Sequence, residues 1–443
     1  MTTTSKPAPV GLFQAFLYWL KLGFISFGGP AGQIAMMHQE LVERRRWISE
    51  KRFLHALNYC MVLPGPEAQQ LATYIGWMMH RSWGGIIAGG LFVLPSLFIL
   101  IGLTWVYLVY GQVPAVAGFL YGIKPAVTAL VLFAAWRIGS RALKNAWLWS
   151  ISAAAFIAIF ALKLPFPLIV LAAGIIGYVG GRVAPEKFTT GGHGSSAKHY
   201  GPALIDDDTP TPQHALFNWR RLVFVAAMFI AIWAGGLGAL IAYYGWPHPL
   251  TQMGWFFTKA ALLTFGGAYA VLPYVYQASV ESYQWLTAAQ MIDGLALGET
   301  TPGPLIMIVA FVGFVGAWTK QVFGPEALLL AGCAGAVVAT FFTFLPSFLF
   351  ILAGGPLVET THGNLKFTAP LTGITAAVVG VIVNLAVFFA WHVLWPTGFS
   401  GRFEWLSALI CVGAFIALFR YKVGMIPVIL CSGVVGLLYE LLN

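Results

Sequence analysis

Four short breaks in otherwise apolar sequence carry most of the chemistry available to this chain. Two are glycine pairs: Gly28-Gly29 closes LGFISFGG, and Gly266-Gly267 closes LLTFGG. The other two are Pro64-Gly65-Pro66 and Pro302-Gly303-Pro304. A proline inside a helix removes a hydrogen bond and clashes with the preceding turn, so each Pro-Gly-Pro ends one helix and starts another. The new half-helix presents unpaired N–H groups and a positive dipole end. Such ends hold small anions, and broken helices in membrane carriers use them this way. The glycine pairs permit positive φ and close backbone approach to a ligand. The Pro-Gly-Pro segments could instead be packing kinks, since both residues are common in membrane helices. Their recurrence at matching places favours a site.

Ionisable residues within the apolar sequence are few: Lys21, Glu67, Lys124, Lys259, Asp293 and Glu299. Each costs about 2.5–3.5 kcal/mol at a bilayer centre on the insertion scale, so each calls for a partner or a function. Lys21 and Lys259 occupy equivalent positions about two helical turns before the glycine pairs. They can attract an anion or snorkel to the interface. Glu67 follows the first Pro-Gly-Pro directly and Glu299 precedes the second. Each is a candidate proton carrier, or else a helix cap or a lysine's partner. Ser26, Thr264 and Thr301, with Gln69, Gln70, Thr73 and Thr300, could donate hydrogen bonds to oxyanion oxygens.

The elements that must position these residues are membrane helices. Of 443 residues, 59% are hydrophobic and 9% charged, and the mean hydropathy is +0.80. With only 24 Lys and Arg and 15 Asp and Glu, lipid rather than water must face most of the surface. Apolar runs near the ~20 residues needed to cross recur throughout, and backbone polar groups in lipid must be satisfied within the segment. The fold class is therefore an all-α polytopic membrane protein with about 13 hydrophobic segments. The first apolar segment carries no convincing cleavage site and is retained. Cys60, Cys333, Cys411 and Cys431 lie in apolar runs without metal-binding spacing and read as inert thiols. The formal charge of +9 falls mostly between apolar segments, where it sets orientation rather than binding nucleic acid.

A long internal repeat organises the chain. An offset of 238 residues relates Lys21 to Lys259, Gly28 to Gly266, Gln39 to Gln277, Glu43 to Glu281, Trp47 to Trp285 and the two Pro-Gly-Pro segments. Farther on, LPS at 94–96 matches LPS at 345–347, and AFIAIF at 155–160 matches AFIALF at 414–419. The expected division is a first repeat at 1–183, a polar cytoplasmic linker at 184–221, an extra transmembrane helix at 222–245 and a second repeat at 246–443. Each repeat holds about six membrane segments. One odd crossing between the repeats inverts the second relative to the first. Charge placement puts the N-terminus in the cytoplasm, except for ERRRWISEKR at 43–52. Making 12–37 and 53–79 re-entrant hairpins keeps that loop cytoplasmic.

FGGPAGQIAMMHQELVERRRW (27–47), LPGPEAQQLATYIGW (63–77) and ETTPGPLIMIVAFVGF (299–314) resemble the chromate ion transporter family in its long, two-half form. The resemblance implies export of chromate from the bacterial cytoplasm, with resistance as the outcome, by a multi-pass protein of the inner membrane. Chromate and sulfate are tetrahedral dianions of similar size, which shape alone separates poorly, so a carrier of sulfate or another small oxyanion stays open. The sequence holds no Walker motif, which points to secondary transport, with protons as one candidate coupling ion. No HExxH or compact His/Asp grouping suggests an enzyme, a metal or a cofactor. The chain's other partner is membrane lipid, and a homodimer is compatible with a sequence that sets no oligomeric state.

Overall fold

The computed structural model describes residues 6–27, 29–188, 200–210, 212–265, 267–360 and 368–442, and the expectations resting on Gly28, Gly266 and 189–199 lie outside them. Among the described residues the secondary structure is helical, with one isolated bridge between Ile48 and Ile205. The chain runs α1 (Leu12–Ile25), α2 (Gly29–His38), α3 (Glu50–Val62), α4 (Glu67–Tyr110), α5 (Pro114–Ala142), α6 (Ala146–Phe160), α7 (Phe166–Val183) and a single turn α8 (Pro185–Phe188). The lone α9 (Trp219–Tyr244) follows, then α10 (Pro249–Leu262), α11 (Ala268–Tyr276), α12 (Ala288–Thr300), α13 (Ile308–Thr319), α14 (Leu328–Thr360), α15 (Thr368–Leu394), α16 (Trp405–Phe419) and α17 (Met425–Leu442). Among the described residues seven helices are long and apolar enough to cross a membrane, and four shorter ones are apolar.

Local structure repeats with the 238-residue offset. Ser49 caps α3 by accepting from Arg52 N, and Thr287, its equivalent, caps α12 within a capping box with Gln290. Both satisfy amide groups that a helix start leaves unpaired. A π-helical turn covers Gln39–Arg44 and another covers Gln277–Ser282. Arg46 and Gln284 then share a left-handed φ, 52° and 51°.

Although α4 has 44 residues, its backbone leaves helical geometry at His80 (φ −136°) and Arg81 (φ 56°). There it folds back on itself, with one arm at 67–79 and another at 82–110. Gly76 and Gly84 meet where the arms cross: a methyl on either would stand 2.4 Å or 2.2 Å from the other's carbonyl oxygen. Gly313 of α13 and Gly335 of α14 meet the same way. Small residues let helix backbones approach in lipid, where apolar side chains gain little by leaving the solvent.

The helices before and after each break return to the end they left. His80 Nε2 bonds the Val10 carbonyl at 2.8 Å, so α1 starts beside the α4 reversal. Trp77 O is bonded by His214 of the linker at 3.0 Å, and Trp47 O accepts from Ile205 N at 3.0 Å. The start of α1, the turn between α2 and α3, and the α4 reversal therefore share the linker end. In the second half Tyr244 stacks on His248 and contacts Phe323, and Trp285 packs on Phe257 and Gly316. The starts of α10 and α12 and the end of α13 thus gather at the far end of α9. That helix buries only Val225, Phe229 and Leu237, as a span apolar on nearly every face does when lipid surrounds it.

The outer helices exchange between halves. α6 and α7 pack on α15, while α16 and α17 pack on α5. Gly122 of α5 touches Gly436 of α17, and the equivalent Gly373 of α15 touches Gly177 of α7. The inner hairpins are less symmetric. All nine residues of α11 are buried, and α11 and α12 pack on α5, α7, α15 and α17. In α2 only Gln33 and Met37 are buried, and α2 and α3 pack chiefly on α4 and α14.

Part of the polar linker is packed against the bundle rather than solvated. Residues 200–210 and 212–215 dock on the first half, with Ala203, Ile205 and Ala215 buried. Ser49 Oγ donates to Asp207 at 2.6 Å. Its apolar residues are interspersed among Asp, Thr and Pro, so composition averages hid a docking strip.

Candidate functional site

The four breaks meet at the middle of the bundle, and each Pro-Gly-Pro pairs with the glycine break of the other half. Gly65 N donates to Thr264 O at 2.7 Å, and Gly303 N donates to Ser26 O at 2.9 Å. Both central glycines have positive φ, +124° and +107°, and so do Gly29 (+69°) and Gly267 (+96°), values that disfavour any side chain. The crossing is braced by side chains. Gln33 Nε2 donates to Gly303 O at 2.5 Å and to Ser26 O at 3.2 Å, and Gln70 Nε2 donates to Pro64 O at 2.8 Å.

Pro66 is the N-cap of α4, and Pro304 precedes the 3₁₀ turn Leu305–Met307 that leads into α13. Together with α2 and α11, two helix starts from each half point away from one crossing. First-turn amides are unpaired by helix geometry and draw negative charge. The N–H groups of Gly65 and Gly303 are used within the crossing, so an anion would meet the following turns. Glu67 sits half-buried in the first turn of α4. Glu299 is buried and accepts from the Tyr269 hydroxyl, joining the end of α12 to the start of α11. Arg137 of α5 lies within electrostatic reach of the same phenol.

The hydroxyls divide into engaged and unengaged. Thr264 Oγ1 donates to Ala260 O at 2.7 Å, and Thr301 Oγ1 is bonded to Leu297 O and Gly298 O. Ser26 Oγ is buried with no partner among the described residues, as are Ser347 Oγ, Gln33 Oε1 and Gln70 Oε1. Ser347 would stand 2.5 Å from a methyl on Gly65, and Ser96 would stand 2.7 Å from one on Gly303. These two serines belong to the LPS repeats, whose matched spacing was the signal that could have drawn them into the site.

Neither lysine is brought to the crossing. Lys21 is exposed on α1, and Lys259 is half-buried with its ammonium 5.7 Å from the Trp255 ring centre. The exposure of Lys21 fits snorkelling to the interface. A cavity of about 410 Å³ lies elsewhere, beside Ser49, Glu50, Tyr200, Asp206 and Asp207. Its carboxylates make it unsuited to an oxyanion.

Apolar helices of spanning length, broken where polar backbone converges, define a multi-pass membrane protein. The chain matches the chromate transporter family over residues 13–178 and 251–437, and it belongs to that family. It is 32% identical to a chromate transport protein of Pseudomonas aeruginosa over 98% of this chain and 94% of that protein. A probable chromate transport protein of Synechococcus elongatus is 29% identical (85% of this chain, 84% of that protein). A chromate transport protein of Cupriavidus metallidurans is also 29% identical (86% and 82%). No solved structure is significantly similar to the chain.

Proposed function

We propose that this protein exports chromate from the bacterial cytoplasm by secondary transport across the inner membrane, and so confers chromate resistance. Family membership supports the cargo. The observation that carries the site is the reciprocal pairing of breaks, Gly65 to Thr264 and Gly303 to Ser26, which sets helix starts from both halves around one point. The repeats are inverted in the membrane, with the division at 1–183, 184–221, 222–245 and 246–443, and α9 makes the odd crossing. A tetrahedral dianion binds beside the crossing, against first-turn amides and the Ser26 and Ser347 hydroxyls. The residues we assign to binding or to its scaffold are those of the four breaks with Ser26, Thr264 and Thr301; Lys21 and Lys259 act at a distance through their charge.

The inside-negative potential favours outward movement of each negative charge by about 2.3 kcal/mol per 100 mV. Proton entry through Glu67 or Glu299 is the coupling route we assign. Everted vesicles test the reading: chromate accumulation should follow the imposed potential and exceed sulfate accumulation at equal concentration. Equal or greater sulfate flux would make this a sulfate or general oxyanion carrier. Flux indifferent to potential and pH would sink secondary transport, and Glu67→Gln and Glu299→Gln variants with wild-type pH dependence would remove the proton route.

A further inference from the structure

The inner hairpin of the second half is tied to the outer bundle by an acid–base cluster. Asp293 of α12 is 4% exposed. Its Oδ1 lies 3.5 Å from Lys124 Nζ of α5, and its Oδ2 accepts from the Tyr107 hydroxyl of α4 at 2.9 Å. Two further ties join the same hairpin to the bundle. Gln277 Oε1 accepts from Phe166 N of α7 at 3.3 Å, and the Tyr276 and Phe388 rings approach to 4.4 Å.

By the repeat offsets, the equivalents of Asp293 and Lys124 are His55 and Thr375. These cannot form a carboxylate–ammonium pair, and α2 and α3 pack chiefly on α4 and α14 instead. The second hairpin is therefore closed against the bundle. We infer that Asp293, Lys124 and Tyr107 form a latch that holds the far-end gate shut, and that each transport cycle requires its release. The inference rests on the transport reading for the word "cycle" but not for the latch itself. Asp293 loses its hydration in the closed gate and regains it when the gate opens, which offsets much of the attraction to Lys124 and leaves the latch a modest hold that can be released. That balance suits a switch, and its presence at this hairpin biases the resting protein to the closed far end.

The test is conformational and needs no substrate. In a protein with its four native cysteines replaced, Ala296→Cys reports on the buried α12 face, and labelling by a charged maleimide is timed in purified full-length protein. Asp293→Asn and Lys124→Gln should each speed labelling on the order of tenfold. Tyr107→Phe should shift it the same way by less, and the swap Asp293→Lys with Lys124→Asp should restore slow labelling. Monodispersity and thermal unfolding identify any variant that fails to fold, and Tyr107→Phe, which only removes a hydroxyl, keeps a folded arm available. Unchanged labelling in folded Asp293→Asn and Lys124→Gln overturns the latch, as does a folded swap that labels as fast as the single variants. If wild-type vesicles carry no chromate while labelling responds as described, the latch stands and the transport reading fails.

Discussion

Gly65 is held in place from three sides: its φ of +124°, its N–H bond to Thr264, and the Ser347 hydroxyl that a methyl group would meet at 2.5 Å. Gly303 meets the same constraints, with Ser96 in place of Ser347. Gly65→Ala or Gly303→Ala should cost about 1–3 kcal/mol in backbone strain alone. Displacement of the crossing should cut flux about a hundredfold. Thermal unfolding in detergent and vesicle flux measure the two effects, and wild-type flux in either variant would separate the crossing from transport. Adding Ser347→Gly to Gly65→Ala removes the clash but not the strained φ, so flux should recover only in part. The glycines were legible because positive φ selects for them; their partners were not, because a backbone bond between residues 199 (264 − 65) or 277 (303 − 26) positions apart leaves no trace in either segment. The threonines misled for a local reason: a hydroxyl in a helix readily donates to its own i−4 carbonyl, as Thr264 and Thr300 do.

The return of the chain to the end it left was legible through charge, because only such a return kept ERRRWISEKR with the other basic loops. The docked linker was not, and His214 shows why. Its ring meets Trp77 edge to face and bonds the Trp77 carbonyl, contacts contributed by one histidine in a polar stretch. Burial holds its pKa below the ordinary 6.5; the Arg221 and Arg81 charges push it the same way, and the Trp77 carbonyl opposes them. The docked form therefore favours the neutral ring, so its contribution is complete above about pH 6.5 and declines as the pH falls below that value. Limited proteolysis of the 200–215 segment should accelerate between pH 7.5 and pH 5.5, and His214→Ala should be cleaved rapidly at both. A wild-type cleavage rate that does not change with pH would mean the imidazole does not control docking.

The molecule carries its charge at one end. Following the helices from the linker contacts puts Arg44, Arg45, Arg46, Lys51, Arg52, Arg81, Arg220 and Arg221 at the linker end, with Arg141, Lys144 and Arg420 beside them. The opposite end holds Lys163, Lys320 and Arg402. Basic residues favour the cytoplasmic side of short loops, so in the orientation we propose the linker end faces the cytoplasm. Exposed Trp219 at the linker end of α9 and Tyr243 and Trp246 at its other end fit two interfacial aromatic belts. Inversion then has a sharp consequence, because the π-turn loops around Glu43 and Glu281 are repeat equivalents yet lie at opposite ends. In a cysteine-free background, Glu43→Cys should react with an impermeant maleimide only in everted vesicles, and Glu281→Cys only in right-side-out cells. Both positions reacting from one side would make the repeats parallel, and the shared crossing of Gly65 with Thr264 and Gly303 with Ser26 would then need another symmetry. Reaction of Glu43→Cys from the periplasm alone would turn the whole protein over, and with it the side from which an oxyanion reaches the first hairpin.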